Sequence, residues 1–344
     1  MRIAAIRHAL PHRRITNAEV IERVRHANVG RFGGAMAAME ARIATLLDVA
    51  GTEVRYALAE DETALDIAVE AGRAALAQAA IAPGAVDLLL YAGVGRGWLE
   101  PATAPAVQAA LGLTNATSFD IMEACASWVR ALQVAHAYIQ ADMYRTIMIV
   151  NAECGHYRAY QDWALNDEAD VDVRIASYTI GEAATATIVT GDASDDDHYF
   201  TFRTFGEHVD LCMIPLPNMR DFHATGAPGC YVPHRFFARS RELFQVAVRA
   251  IVDVFGSDPR LHGVPHDIAF GHDATVRVAE CITRAIGYAD VYFSTHREYG
   301  NTVSASIPLG MSLAIDEERL RRGSRALIVV GSAGLTVGFA SLAF

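Results

Sequence analysis

Two pairs of short segments recur along this 344-residue chain at one fixed separation. Val86-Asp87-Leu88-Leu89 has a counterpart in His266-Asp267-Ile268-Ala269, and Arg145 to Val150 (RTIMIV) in Arg325 to Val330 (RALIVV), each 180 residues further on. A duplicated strand–helix unit predicts one common spacing for all its parts. Chance repetition competes with that reading, because buried strands draw on few residue types. Duplication would require two similar halves, and the length, about twice the ~150 residues of one domain, accommodates them.

Helical and strand patterns alternate through both halves. Thr63 to Ala80 has helical spacing and is stopped by Pro83-Gly84, after which Val86 to Tyr91 reads as a buried strand. Ser118 to Met122 and Thr146 to Val150 are further short apolar runs, with the helical Trp128 to Ala141 between them. In the second half Phe244 to Phe255 and Thr275 to Ile286 read as helices, and Asp267 to Phe270 and Ala326 to Val330 as strands. Such alternation predicts an α/β fold with buried, mainly parallel strands. The dividing line is expected at 175/176. Trp163 to Arg239 is less regular, and 192–239 reads as a loop or lid region. It contains an acidic run (Asp192, Asp195, Asp196, Asp197) expected in solvent, and a Pro-, His- and aromatic-rich stretch from Cys212 to Phe237 around Pro215, Pro217, His223, Pro233 and His234.

A formal charge of −11 argues against nucleic acid or an anionic membrane as partner. The five Cys (125, 154, 212, 230, 281) form no CxxC pair, which points to a reducing compartment and away from disulfides or zinc. No His/Cys/carboxylate group has metal-ligand spacing. The N-terminus lacks a signal-peptide pattern, and no apolar run reaches the ~18 residues of a membrane span, so a cytoplasmic protein is expected.

Cys125 is the most informative position. It follows an apolar strand and precedes a helix, where unpaired N–H groups and the macrodipole favour the nucleophilic thiolate. The plainer reading of any single Cys is a small buried apolar residue, and Cys154, Cys212, Cys230 and Cys281 are read so. His272 ends a strand and opens a helix, the place where α/β sites collect, although an N-cap turn gives the same pattern. Asn301 lies in a Gly-Asn turn before another helix, which turn chemistry alone also explains. Three residues of complementary type, each before a helix, outweigh any one of them. Gly93-Val94-Gly95-Arg96-Gly97 lacks the rest of a phosphate-binding motif and reads as a strand-end turn.

With these residues in place, the chain resembles the β-ketoacyl synthase III-type enzymes of the thiolase superfamily. The resemblance lies in DIMEACASWVRAL around Cys125, FGHDATVRV around His272, YGNTVSASIPLGMSLA around Asn301 and the C-terminal GSAGLTVGFASLAF. It implies a thiolase fold of two duplicated halves in five αβαβα layers, and a homodimer. It also implies that Cys125 accepts an acyl group from a thioester, while His272 and Asn301 bind the donor carbonyl or a developing enolate. His272 would in addition serve as general base. The backbone N–H groups of Cys125 and of the Ala333-Gly334 turn would form an oxyanion hole. Arg277 would dock an acyl-carrier protein. The thioester arrives on carrier-protein phosphopantetheine or coenzyme A, with no tightly bound cofactor.

The sequence departs from the family pattern at Asp273 and Thr275, where Gln and Asn are usual, and 20–58 lacks the Trp that stacks on adenine in relatives using coenzyme A. A carboxylate at Asp273 is expected to raise the pKa of His272 and make it a better base. That expectation leans the reading toward acyl or aroyl transfer to a small hydroxyl or amine acceptor in specialised, antibiotic-type metabolism. Decarboxylative condensation with malonyl-carrier protein stands close beside it, since Cys125, His272 and Asn301 are all retained. A non-catalytic partner subunit ranks last. Trp128, Tyr157, Tyr160 and Trp163 are candidate pocket residues, with ordinary core as the competing reading.

Overall fold

The computed structural model describes residues 1–192, 197–222 and 231–344. Asp195, Asp196, His223 and Cys230 lie outside the described residues.

Two five-stranded sheets share one design. In the first, the order is Arg2–Ala9, Ala183–Thr190, Thr146–Glu153, Leu88–Ala92, Thr117–Ile121. The last three strands run parallel, and the first two are joined on antiparallel. In the second the order is Tyr199–Thr204, Thr336–Ala343, Arg325–Ser332, Ile268–Gly271, Tyr292–Phe293, again with three parallel strands and two antiparallel ones. The parallel expectation therefore holds for three strands of each sheet. The outer pair is antiparallel in both sheets, and in the second a tight turn joins Arg325–Ser332 directly to Thr336–Ala343.

The 180-residue echo is architectural. Asp87 takes the backbone N–H groups of Arg145 and Thr146 on its carboxylate, both at 3.0 Å. Asp267 takes that of Arg325 at 2.8 Å. Each Asp thus ties the start of one parallel strand to the start of its neighbour, once per half.

Helices Ser127–Gln140 and Ser306–Asp316 lie between the sheets. They share one core with inward residues of both, including Trp128, Leu132, Leu90, Ile149, Phe270, Ile307, Met311 and Ile328. Helix Ala64–Ala79 covers the outer face of the first sheet, and Ser240–Ser257 with Val276–Ile286 covers that of the second. The result is the expected five layers. Thr63 caps the first of these outer helices through a reciprocal box with Asp66, which fixes its start where the sequence places it.

Two boundaries differ from expectation. The strand Ala183–Thr190 belongs to the first sheet, so the chain leaves that sheet after Thr190 rather than at 175/176. Within 192–239, Tyr199–Thr204 is an edge strand of the second sheet and Cys212–Met213 pairs with Phe237–Ala238. Asp192 and Asp197 are exposed, as expected of the acidic run, and Asp197 in addition pairs with Arg325.

Candidate functional site

Cys125 sits in a tight elbow. The chain leaves the strand Thr117–Ile121, turns through Ala124–Ala126 and enters the central helix at Ser127. Ser127 Oγ accepts the Glu123 N–H at 2.8 Å and donates to the Ala124 carbonyl at 2.7 Å. From the second half, Ser332 Oγ donates to the Glu123 carbonyl at 2.8 Å and accepts the Ala126 N–H at 3.3 Å. The elbow is therefore held from both halves.

Burial pushes the Cys125 thiol well above its ordinary range, helped by the nearby Cys212 and Glu153. The backbone N–H groups of Cys125 itself and of Ala333 are directed at the sulfur and act the other way. The thiolate expected at a helix N-terminus is thus not the resting state, because an apolar cavity costs the charge more than two N–H contacts return. The two N–H groups are nonetheless those of the expected oxyanion hole, with Gly334 beside Ala333 on the same cavity wall.

His272 follows the strand Ile268–Gly271, and its Nδ1 lies 3.3 Å from Ser306 Oγ. Burial lowers its pKa to about 4, against the opposing pull of the Val303 carbonyl and Glu153. The ring is neutral at physiological pH. Asn301 is fixed by its main chain. Its N–H donates to Thr179 at 2.9 Å and its carbonyl accepts from Gly181 at 3.0 Å. Gly300 makes this approach feasible, with φ of 68° and the Thr179 carbonyl 2.5 Å from where a Cβ would stand. Asn301 Oδ1 accepts the Val303 N–H at 2.9 Å, and the NH2 half of the amide has no hydrogen-bond partner among the described residues.

Cys125, His272 and Asn301 line one cavity of about 800 Å³ together with Ala333, Gly334, Arg277 and Tyr160. The walls are mostly apolar, and Arg277 is exposed. The structure thereby gathers the three candidate catalytic residues, the expected oxyanion turn and Arg277, the expected carrier-docking residue, around one space. It separates the rest. Asp273 points away from His272: Tyr292 donates its phenol to one carboxylate oxygen and Ser294 donates to the other at 2.6 Å. Side chains at a strand end alternate in direction, so a neighbour of His272 faces the opposite way. The expected rise in the His272 pKa is accordingly replaced by a fall. Burial instead raises Asp273 itself, to about 6. Trp128 is core, with Nε1 donating to Thr187 at 3.0 Å. Trp163 stacks on Tyr178 with centroids 5.4 Å apart and packs with Tyr157 away from the cavity. Cys154 is buried, Cys281 exposed and Cys212 on the cavity wall.

The sequence reading missed Glu153 and His156. Glu153 is fully buried and accepts from His156 Nε2 at 2.8 Å, Val94 N–H at 3.1 Å, Gly95 N–H at 2.8 Å and the Ser304 hydroxyl. Burial alone would raise its pKa, but these bonds hold it below the usual carboxylate value. Burial likewise works against the His156 charge, and Glu153 more than restores it, leaving the pKa raised. The signal was an acidic residue at the end of a buried strand, three before a His. Among the described residues no group of three His, Cys, Asp or Glu is placed to hold a metal ion. No described helix is long and apolar enough to cross a membrane.

Comparison with known proteins gives a consistent result. The sequence model for 3-oxoacyl-[acyl-carrier-protein] synthase III matches residues 119–206, and the one for its C-terminal part matches 265–344. A 3-oxopimeloyl-[acyl-carrier-protein] synthase of Brucella abortus is 30% identical over 349 residues, covering 98% of this chain and 96% of the relative. A β-ketoacyl-[acyl-carrier-protein] synthase III of Helicobacter hepaticus is 27% identical, over 86% of this chain and 87% of the relative. Among solved structures, the synthase III of Aquifex aeolicus superposes with a TM-score of 0.80 at 24% identity, over 100% of this chain and 99% of that one. OleA of Xanthomonas campestris superposes with a TM-score of 0.82 at 21% identity, over 99% of this chain and 97% of that one. These last two likenesses concern the fold.

Proposed function

The chain belongs to the 3-oxoacyl-[acyl-carrier-protein] synthase III family of the thiolase superfamily, and on that premise we propose that it catalyses a decarboxylative carbon–carbon condensation. An acyl thioester loads Cys125, and malonyl-carrier protein extends the acyl group. The observation that carries this reading is the convergence of two backbone N–H groups on the sulfur, inside the cavity that also holds His272 and Asn301.

Because the thiol rests protonated, it must lose its proton as the donor arrives. Neutral His272 is the base available on the cavity wall, and it returns that proton to the departing pantetheine thiol. The oxygen of the tetrahedral intermediate takes the N–H groups of Cys125 and Ala333. In the second half-reaction, His272 and the free NH2 of Asn301 donate to the malonyl thioester carbonyl. Loss of carbon dioxide leaves an enolate that these donors stabilise, and its carbon attacks the acyl-Cys125 carbonyl.

Transfer to a hydroxyl or amine acceptor loses its main support. Asp273 does not strengthen His272 as a base, and Thr275 is occupied as the N-cap of Val276–Ile286, accepting the Val278 N–H at 3.1 Å. The names of these relatives, both condensing synthases, favour the same choice. Arg277, exposed on the cavity wall of a chain with net charge −11, supplies a local positive spot for an acidic carrier protein. We place the enzyme in the cytoplasm as a homodimer, for which the exposed Leu99 and Met122, 71% and 64% accessible, are candidate contacts.

The test is intact-mass analysis after incubation with acyl thioesters, comparing the parent with Cys125→Ala, followed by malonyl-carrier protein. An adduct on the parent alone, then carbon dioxide release with chain extension, is expected. Consumption of a hydroxyl or amine acceptor without carbon dioxide overturns the condensation reading.

A further inference from the structure

The cavity wall carries information about the acyl group that the catalytic residues do not. Four different elements contribute alanines to it: Ala50 ends helix Met36–Ala50, Ala176 lies on helix Ala169–Tyr178, Ala238 on the strand Phe237–Ala238 and Ala247 on helix Ser240–Ser257. Larger apolar side chains at these places would fill the space, as they do elsewhere in the core. The void is therefore built by small residues from independent parts of the chain.

The charged groups on the wall, among the described residues, are committed elsewhere. Glu123 is paired with Arg130 at 2.6 Å, and His156 with Glu153 at 2.8 Å. His272 is neutral, and Arg277 is exposed to solvent. Among the described residues no uncommitted cation stands inside for the far carboxylate of a dicarboxylic acyl group, and burying such a carboxylate unpaired is costly.

We propose that the group loaded on Cys125 is an uncharged aliphatic acyl chain of medium length, rather than an acetyl or a dicarboxylyl group. This rests on the reading of Cys125 as the acylated residue. At about 800 Å³ the cavity lies toward the upper end of the range of small-molecule sites, which gives room for a pantetheine arm and an acyl chain well beyond two carbons. Cys212 and Ala238 face each other across a strand pair on this wall, and the Cys212 thiol is close enough to be felt by Cys125. Their surroundings, which adjoin the nucleophile, are taken as the acyl end.

The experiment measures acylation of Cys125 by acetyl-, octanoyl- and glutaryl-pantetheine, followed by intact mass. Each buried methylene is worth about fourfold in kcat/KM, from ~0.8 kcal/mol per CH2. Octanoyl should therefore exceed acetyl by about a hundredfold or more, and glutaryl should be no better than acetyl. Filling the acyl end in Ala238→Leu and, separately, Cys212→Leu should cut the octanoyl-to-acetyl ratio by about tenfold or more. A preference for acetyl or glutaryl, or an unchanged ratio in both variants, overturns the inference while leaving Cys125 as the nucleophile. Absence of any adduct from all three thioesters overturns the assignment of Cys125 and this inference with it.

Discussion

Ala124 and Val303 adopt positive φ angles of 45° and 50° at matching points of the two halves. Each opens a short 3-10 turn, Ala124–Ala126 and Val303–Ala305, that runs directly into one of the two central helices. The next residue is Cys125 in one half and Ser304 in the other. Where the first half presents a thiol to the cavity, the second buries a hydroxyl that donates to Glu153. One duplicated elbow thus presents a cavity-facing thiol in one copy and a buried scaffold hydroxyl in the other.

The strain at Ala124 predicts a sign. A left-handed conformation costs an L-residue roughly 1–2 kcal/mol, and a β-branched one more. Ala124→Val should destabilise the protein by about 1–3 kcal/mol and slow acylation of Cys125 by displacing the sulfur from its N–H groups. Ala124→Gly should be neutral or stabilising by up to about 1 kcal/mol. Urea unfolding with a thioester acylation assay measures both, and a destabilised glycine variant with an unaffected valine variant would contradict the strain argument.

The pH profile of acylation follows from His272. Its depressed pKa, about 4, means the ring stays neutral and able to accept a proton until the solution is strongly acidic. The acid limb of kcat/KM for loading Cys125 should therefore fall near pH 4. Activity should change little between pH 8 and 6. A limb at the ordinary histidine value of 6.5 would show that the ring is far more hydrated than its surroundings allow.

Trp128 separates packing from chemistry. Three residues past Cys125, it turns into the layer between the sheets rather than into the cavity. Trp128→Ala should cost about 3–5 kcal/mol. Trp128→Phe, which keeps most of the volume, should leave the ranking of acyl donors unchanged in a competition assay. A changed ranking would place the indole in contact with substrate.

How far the sequence anticipated the molecule depended on whether a feature was local or relational. The duplicated architecture was legible because Asp87 and Asp267 perform one local task, closing adjacent parallel strands, and selection of that task repeats the spacing. Cys125 and His272 were legible because each follows a strand and precedes a helix, and Asn301 because it lies in a Gly-Asn turn ahead of a helix, each with its chemistry exposed in the motif. The direction of Asp273 could have been read from strand alternation, since His272 and its neighbour cannot share a face. Glu153 and His156 could not be paired from their spacing alone. Their partnership depends on Val94, Gly95 and Ser304 arriving from two other segments of the chain. The thiol's resting state was likewise relational, because the helix terminus is local whereas the burial that overrides it comes from the whole cavity.

Asp273 gives a pH signature that distinguishes its buried position from the solvent-facing or histidine-paired alternatives. Its pKa rises from 3.8 to about 6, chiefly through burial and against two hydroxyl donors. An acid whose folded pKa is raised binds its proton more tightly in the native state than in the unfolded chain. Stability from this group is therefore fully present below about pH 4 and is lost as pH rises through 6. The loss amounts to roughly 2–3 kcal/mol, at about 1.36 kcal/mol for each tenfold change in proton affinity. In Asp273→Asn this pH dependence is absent, whatever constant offset the new amide introduces at Tyr292 and Ser294. The stability difference between variant and parent should hence move in the variant's favour by that amount between pH 4 and pH 8. Urea unfolding at both pH values measures it. A difference that stays flat, or moves the other way, would mean that Asp273 is ionised and paired in the native protein rather than buried beside two hydroxyls.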